Sequence, residues 1–157
     1  MKKVNQIGLD LKKAKTLSNG LNELLANYQI FYGNLRGYHW LIQGDKFFEL
    51  HLKFEELYND SLLKIDEIAE RILVLGNQPM HTYSSYLKIS TIKESKKVSD
   101  GEAAVKNILD SYGVLLSLER KLLSMSEKID DEGTNALMSD YIREQEKLIW
   151  MYSAYLK

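Results

Sequence analysis

The chain contains no cysteine, which removes disulfide frameworks, thiolate zinc sites, thiol nucleophiles and cysteine-held iron–sulfur clusters together. Any metal must therefore be taken by imidazole nitrogen and carboxylate oxygen. Proline occurs once and glycine nine times in 157 residues, roughly half of average usage for the two combined. No Asn-Gly or Asp-Gly is flanked by alternating apolar residues, so hairpins are not expected. An excess of charge of either sign is missing too. The 21 Lys and Arg face 22 Asp and Glu, a net of -1, and no bulk positive field marks a nucleic-acid binder. No apolar run approaches the roughly 18 residues of a membrane span, and the opening MKKVNQIGLDLKKAK lacks the apolar core of a secretory signal. The expectation is an unprocessed, cytoplasmic protein with no membrane partner. A hydrophobic content of 45% over 157 residues suffices for one domain with a substantial core.

What the chain does have is helical periodicity. Leu21, Leu25, Tyr28, Tyr32 and Leu35 recur at steps of three or four, predicting a helix over about 21–41. Gly44-Asp45 interrupts, with Asp45 suited to capping. The period then resumes through Leu50, Phe54, Leu57, Ile65, Ile68, Ile72 and Leu75, with Gly76 and Pro79 as stop signals. The stretch from there to Val98 is long for a link between neighbouring helices, and its segment SSYLKI can form a short helix lying across the bundle. Ser99-Asp100-Gly101-Glu102 reads as a Ser-x-x-Glu capping box for a third helix reaching about Ile129. After the acidic turn IDDEGT, a last helix carries Leu137, Tyr141, Leu148, Met151, Tyr152 and Tyr155 on its apolar side. Four helices with a long crossover between the second and third describe an all-α, ferritin-like four-helix bundle. It takes up residues 1–157 as a single domain, with 1–15 a short polar N-terminal arm.

Three histidines, His39, His51 and His81, bound the imidazole chemistry. His51 and Glu55 are four residues apart, as are Asp66 and Glu70, so each pair projects from one face of the second helix and offers donors suited to first-row metals, including iron. Such pairs are also common on solvated helices. His39, near an apolar stripe, fits a buried histidine bonded to a carbonyl better than it fits a ligand, and His81 reads as surface. Reach decides more. His51 and Asp66 are separated by about 22 Å of helix, far too much for one metal site. At 100° per residue both pairs lie roughly 140° around from the core stripe and face outward. Two antiparallel copies of this helix, related by a two-fold axis near Asp60 and Ser61, bring 51 and 55 of one chain opposite 66 and 70 of the other, giving two equivalent sites. Tyr58, Leu62, Ala69 and Leu73 would form the dry part of that contact. No histidine has Glu three residues before it, those places holding Arg36, Phe48 and Gln78, so a di-iron centre inside one bundle is not expected. A mixed outer helix face that binds no metal is the competing reading.

The stretch YHWLIQGDKFFELHLKFEELYNDSLLKIDEIAERILVLGNQP closely resembles the signature region of the Dps family, the miniferritins, and KLIWMYSAYL is similar to the end of their last helix. The resemblance implies a homo-oligomer, a hollow dodecamer built from two-fold dimers, with two-iron ferroxidase centres shared across those dimers. It further implies iron(II) oxidation, with hydrogen peroxide the preferred oxidant, and storage of a ferric mineral core. The family's two histidines match His39 and His51, and the carboxylate one turn later, often Asp, is Glu55 here. The Asp and Glu of the DE-x-AER motif match Asp66 and Glu70. Trp40 resembles the family's tryptophan near the centre. The analogy also puts Glu56 toward the inner cavity and Asp130, Asp131 and Asp140 near three-fold pores, where solvated helix-end charges are the alternative. DNA-binding members generally carry a mobile basic extension, whereas Lys2, Lys3, Lys12, Lys13 and Lys15 are interleaved with apolar residues, so DNA is a possible partner but not the favoured one. A nucleoid DNA-protecting protein and a structural helical oligomer without metal chemistry remain the alternative functions.

Overall fold

The computed structural model describes residues 3–157, so Lys2 of the expected arm lies outside the described residues. Five helices build it: α1 (Leu11–Leu41), α2 (Phe47–Val74), α3 (Tyr83–Ile89), α4 (Gly101–Glu127) and α5 (Glu132–Tyr155). Among the described residues the β content is one isolated bridge between Val4 and Asp10. α1, α2, α4 and α5 form the bundle, and α3 is the short crossover helix expected from SSYLKI.

α1 starts ten residues before the expected position. Asp10 caps it, its side chain accepting from Lys13 N at 2.9 Å, so residues 11–15, expected in the polar arm, are helical. The first turns pack through Ala14, Leu17, Ser18 and Leu21, a stripe at helical spacing that small and polar members hide among lysines. Residues 3–10 are a loop held down by Asn5, whose Nδ2 donates to Leu75 O at 3.2 Å while its Oδ1 accepts from Leu9 N. At α2 the expected Asp45 cap is absent. Phe47 N closes a backbone turn onto Gly44 O at 3.2 Å, Lys46 takes the cap position without a side-chain bond, and Asp45 stays exposed. α2 ends as expected at Gly76. Its φ of +80° permits Gly76 N to reach Leu73 O and Asn77 N to reach Ile72 O, a Schellman closure. α4 is capped by Asp100 rather than Ser99, through Ala103 N at 2.9 Å, because the Ser99 carbonyl is engaged by Gln43 N.

That last bond fixes the topology. Gly101 sits against Ile42 and Leu50, so α2 and α4 begin at the same end of the bundle, run parallel, and the segment joining them must travel the bundle's whole length. An irregular strand of chain lying on a helix carries backbone groups that need partners. Three asparagines of α1 supply them. Asn22 takes Gln78 O and Met80 N, Asn27 Oδ1 accepts from Thr91 N and Ile92 N, and Asn34 takes Lys93 O and Ser95 N.

The core is mostly apolar, with a polar group at its centre. Phe31, Phe54, Ile68, Ile72, Ile108, Leu115 and Met138 are fully buried, and among them Glu119, 0% exposed, accepts from the Tyr28 phenol at 2.7 Å and from Gln145 Nε2 at 2.8 Å. Burial pushes the Glu119 carboxyl up to about 7 against a tyrosine bond and the distant Lys64 charge, which pull it down. A carboxyl whose pKa is raised on folding holds its proton more tightly in the folded chain, so stability falls with rising pH over the range where the folded chain keeps that proton and the unfolded chain has lost it. Its contribution is full below the ordinary value of 4.5 and is lost as pH rises through about 7. The difference amounts to about 3 kcal/mol. Replacing Glu119 by Gln is therefore expected to flatten the decline in stability between pH 4.5 and 8, measured as urea midpoints of wild type and variant; parallel pH profiles would contradict this.

Candidate metal centre

His39 sits in the last turn of α1 and His51 in the second turn of α2, across the tight connection between them. The two lock each other. His39 Nδ1 lies 2.6 Å from the His51 carbonyl and His51 Nδ1 lies 2.7 Å from the His39 carbonyl. A carbonyl oxygen only accepts, so both Nδ1 atoms carry a proton, and in the neutral ring the lone pair is then on Nε2. The rings stack at 3.7 Å between centroids and 14° between planes, with Phe47 stacked on His51 at 4.9 Å and Tyr58 edge-on to His39 at 5.3 Å. His39 is buried and His51 half-buried. The two readings of His39, ligand and carbonyl-bonded core histidine, turn out to be compatible: the carbonyl bond fixes the tautomer that a ligand requires.

Glu55 follows one turn beyond His51, half-buried, in hydrogen-bonding reach of Tyr58, whose phenol is raised by burial and by the Glu55 charge. Asp66 and Glu70 lie farther along α2, both exposed. Most carboxylates around them are engaged: Asp60 and Glu144 hold Lys64 at 2.7 and 2.8 Å, Glu56 pairs with Lys53, and Glu67 accepts from Tyr141. Glu55, Asp66 and Glu70 make no ion pair among the described residues. The structure thus brings His39, His51 and Glu55 to one region and leaves Asp66 and Glu70 well down the helix. Among the described residues no three His, Asp or Glu groups converge within the single chain to hold a metal. Leu62 and Leu73 on the same outward side are 48% and 59% exposed, while Tyr58 and Ala69 are half-buried.

A ferritin-like domain model matches residues 18–157. A DNA protection during starvation protein of Porphyromonas gingivalis is 41% identical over 99% of this chain and 98% of its own. The chain belongs to the Dps family of ferritin-like proteins. Among solved structures, a Dps protein of Vibrio cholerae O1, described as a member of a broad superfamily of ferritin-like diiron-carboxylate proteins, is 56% identical and superposes with a TM-score of 0.98 over 100% of this chain and 98% of that one. A Dps protein from Bacillus brevis is 30% identical with a TM-score of 0.90, covering 93% and 98%.

Three of the further positions suggested by resemblance to Dps carry exposed carboxylates, and one does not. Glu56, Asp130 and Asp140 are exposed, with Asp140 paired to Arg143 at 2.8 Å. Asp130 takes φ +60° in the turn that closes α4. Asp131 is not a solvated helix-end charge. It is 3% exposed, caps α5 through Thr134 N, and pairs with Arg71 Nη2 at 2.6 Å. Arg71, the arginine of the motif containing Asp66 and Glu70, also donates to Thr134 Oγ1 and lies so close over Gly133 that a Cβ there would meet its guanidinium at 2.7 Å. The motif thus joins outward carboxylates to an inward clamp between α2 and α5. Trp40 is 67% exposed beside Arg36. No helix of the described residues is long and apolar enough to cross a membrane.

Sequence reading missed the polar group at the core. Its signal is present: Glu119 falls at helical spacing with Tyr112, Leu115 and Leu122, and Gln145 with Met138, Tyr141 and Tyr152, so both occupy core-facing places that an apolar residue would normally fill. The Asp131 assignment gives a direct test. Asp131→Ala should cost about 3 kcal/mol, because it removes a cap and strands a part-buried guanidinium. A lowered urea midpoint is expected, whereas a pore residue would leave stability unchanged.

Proposed function

We propose that this protein oxidises ferrous iron at centres completed between two subunits, uses hydrogen peroxide as oxidant, and stores the ferric product as mineral in a hollow cytoplasmic dodecamer. The observation that carries the reading is the reciprocal histidine lock. Two imidazoles fixed with their Nδ1 protons on carbonyls and their Nε2 lone pairs free are prepared to bind metal without reorganisation. Their partners are the carboxylates that the fold leaves unpaired. In the proposed centre His39, His51 and Glu55 of one subunit face Asp66 and Glu70 of the other across a two-fold axis, which repeats the contact and gives two centres per dimer. Exposed Leu62 and Leu73 would close the dry part of that interface.

The donor set fits the chemistry. Imidazole nitrogen and carboxylate oxygen hold iron in both oxidation states, and anionic oxygens favour the more highly charged ferric product. Thiolates would be consumed by peroxide. Glu55 has a longer arm than the aspartate common at that place in the family, so the spacing of the second iron position is the feature on which this chain is expected to differ. The dodecamer and the peroxide preference rest on family membership.

Anaerobic ferrous loading followed by peroxide tests this reading. Asp66→Ala/Glu70→Ala is expected to slow oxidation roughly tenfold or more while assembly survives, and equal rates in wild type and variant would reject the centre. Mixed oligomers reassembled from that double variant and His51→Ala should regain activity, because some interfaces then combine intact halves from different chains.

One observation supports DNA as a second partner: Lys12, Lys13 and Lys15 are exposed on the first turns of α1 beside exposed Lys3. They are carried by a helix and a tethered loop instead of a free extension. If they bind duplex through phosphates, affinity should fall steeply between 50 and 200 mM salt, about a thousandfold for six contacts, and Lys12→Ala/Lys13→Ala/Lys15→Ala should flatten that slope. Binding indifferent to salt would exclude it.

A further inference from the structure

The chain has four arginines, and three of them meet a carboxylate: Arg71 pairs with Asp131 at 2.6 Å, Arg120 with Glu146 at 2.8 Å and Arg143 with Asp140 at 2.8 Å. Arg36 does not. Its guanidinium stacks over Tyr32 at 4.7 Å and over Trp40 at 5.5 Å, rings placed four residues before it and four after it along one side of α1. Its Nε is buried without a hydrogen-bond partner, and among the described residues it makes no ion pair. A guanidinium carries five donors and keeps its charge at any ordinary pH. Held half-buried between two rings with no acceptor, this one is incomplete within the single chain.

Its position indicates what would complete it. Arg36 lies about one turn before His39 on α1, and its charge reaches Tyr58, where it opposes the upward pull of burial and of Glu55 on the phenol. The Tyr58 ring is 5.3 Å from that of His39 and 6.2 Å from that of Tyr32. Arg36 therefore borders the group formed by His39, His51 and Glu55. The two-fold arrangement that sets 51 opposite 70 and 55 opposite 66 also sets 58 opposite 63, since facing positions run in opposite directions. Around that point on α2 of the other subunit, Asp60 is taken by Lys64 and Glu67 by Tyr141. Asp66 is left over, about 4.5 Å of rise from position 63 and within the length of an arginine side chain.

Charge supplies the reason for such a pair. In the proposed centre Glu55, Asp66 and Glu70 bring three negative charges into one contact, and taking carboxylates out of water is costly unless a counter-ion goes with them. The cations along α2 are spoken for: Lys53 is held by Glu56, Lys64 by Asp60 and Glu144, and Arg71 by Asp131. Arg36 is not. We infer that Arg36 crosses the two-fold contact to donate to Asp66 of the other subunit, and is the counter-ion that lets the centre assemble before iron arrives. The inference rests on the ferroxidase reading. Arg36 is here a positioning residue and not a ligand: its guanidinium takes one oxygen of Asp66, and the other oxygen stays turned toward the imidazoles for the ferrous ion. When that ion binds, its two positive charges take over the neutralisation. Stacking between Tyr32 and Trp40 holds the guanidinium at the contact while the partner is absent.

The test is the resistance of the metal-free assembly to urea, followed by sedimentation velocity, with zinc(II) as a probe that takes the same donors and has no redox chemistry. Arg36→Gln is expected to lower the urea concentration at which subunits separate by about 1 M. Zinc should restore most of that loss and shift wild type less. Arg36→Lys, which keeps the charge, should fall between the two. In the Arg36→Gln background Asp66→Asn should raise the midpoint, because it removes a carboxylate left without its counter-ion, whereas in wild type it should lower it. Loss of aromatic stacking alone would instead give equal zinc shifts in wild type and Arg36→Gln, and effects of Asp66→Asn that simply add. That result, or an unchanged midpoint in Arg36→Gln, overturns the inference; the ferroxidase reading then stands if Asp66→Ala/Glu70→Ala still slows oxidation. Equal oxidation rates in wild type and that double variant, or a wild type that is monomeric without metal, overturn both.

Discussion

A straight α-helix holds its residues at fixed separations, and α2 is a helix of 28 residues without a break. Candidate metal ligands far apart along it can point in the same general direction but never approach one another, since each residue adds 1.5 Å of rise. Everything distinctive about the outer face of this molecule follows. The histidines and Glu55 are gathered at one end by the tight connection from α1, Asp66 and Glu70 are stranded along the helix, and exposed leucines lie on the same side. In the proposed dimer a two-fold axis would turn that end-to-end mismatch into an end-to-end match.

The rest of the bundle serves to hold that face rigid. The crossover is tied along α1 by Asn22, Asn27 and Asn34, each using its amide to complete backbone that no regular element satisfies. At the far end of α2, Arg71 reaches inward to Asp131 and Thr134 and fixes the start of α5. α2 is thereby anchored inward near its far end while its outer side stays free. The reciprocal bonds between His39 and His51 complete the scheme, because the two candidate ligands are oriented by backbone atoms of the elements that carry them.

Inside, the four-helix bundle carries a buried polar group at its centre. Glu119, Tyr28 and Gln145 come from three different helices, and a carboxyl with one oxygen unpartnered is a group that burial holds near its midpoint at neutral pH. Such a group is costly to keep.

Much of this was written in the sequence. The stripe from Leu50 to Leu75 gave α2 and its inward side, Gly76 and Pro79 gave its end, and the four-residue spacing of His51 with Glu55 and of Asp66 with Glu70 put those groups on an outward face, since helical periodicity is a local property that neighbours in the chain impose. The early start of α1, the cap at Asp100, the clamp at Asp131 and the buried Glu119 were not legible in that way. Each depends on a group far along the chain: Ser99 is drawn off by Gln43, Asp131 is claimed by Arg71, and Glu119 is tolerated because Tyr28 and Gln145 reach it. Local sequence determined which helices form and which sides they bury. Only the packing of helices against one another decided what each charged side chain does, because a charge takes its role from partners that the linear order does not reveal.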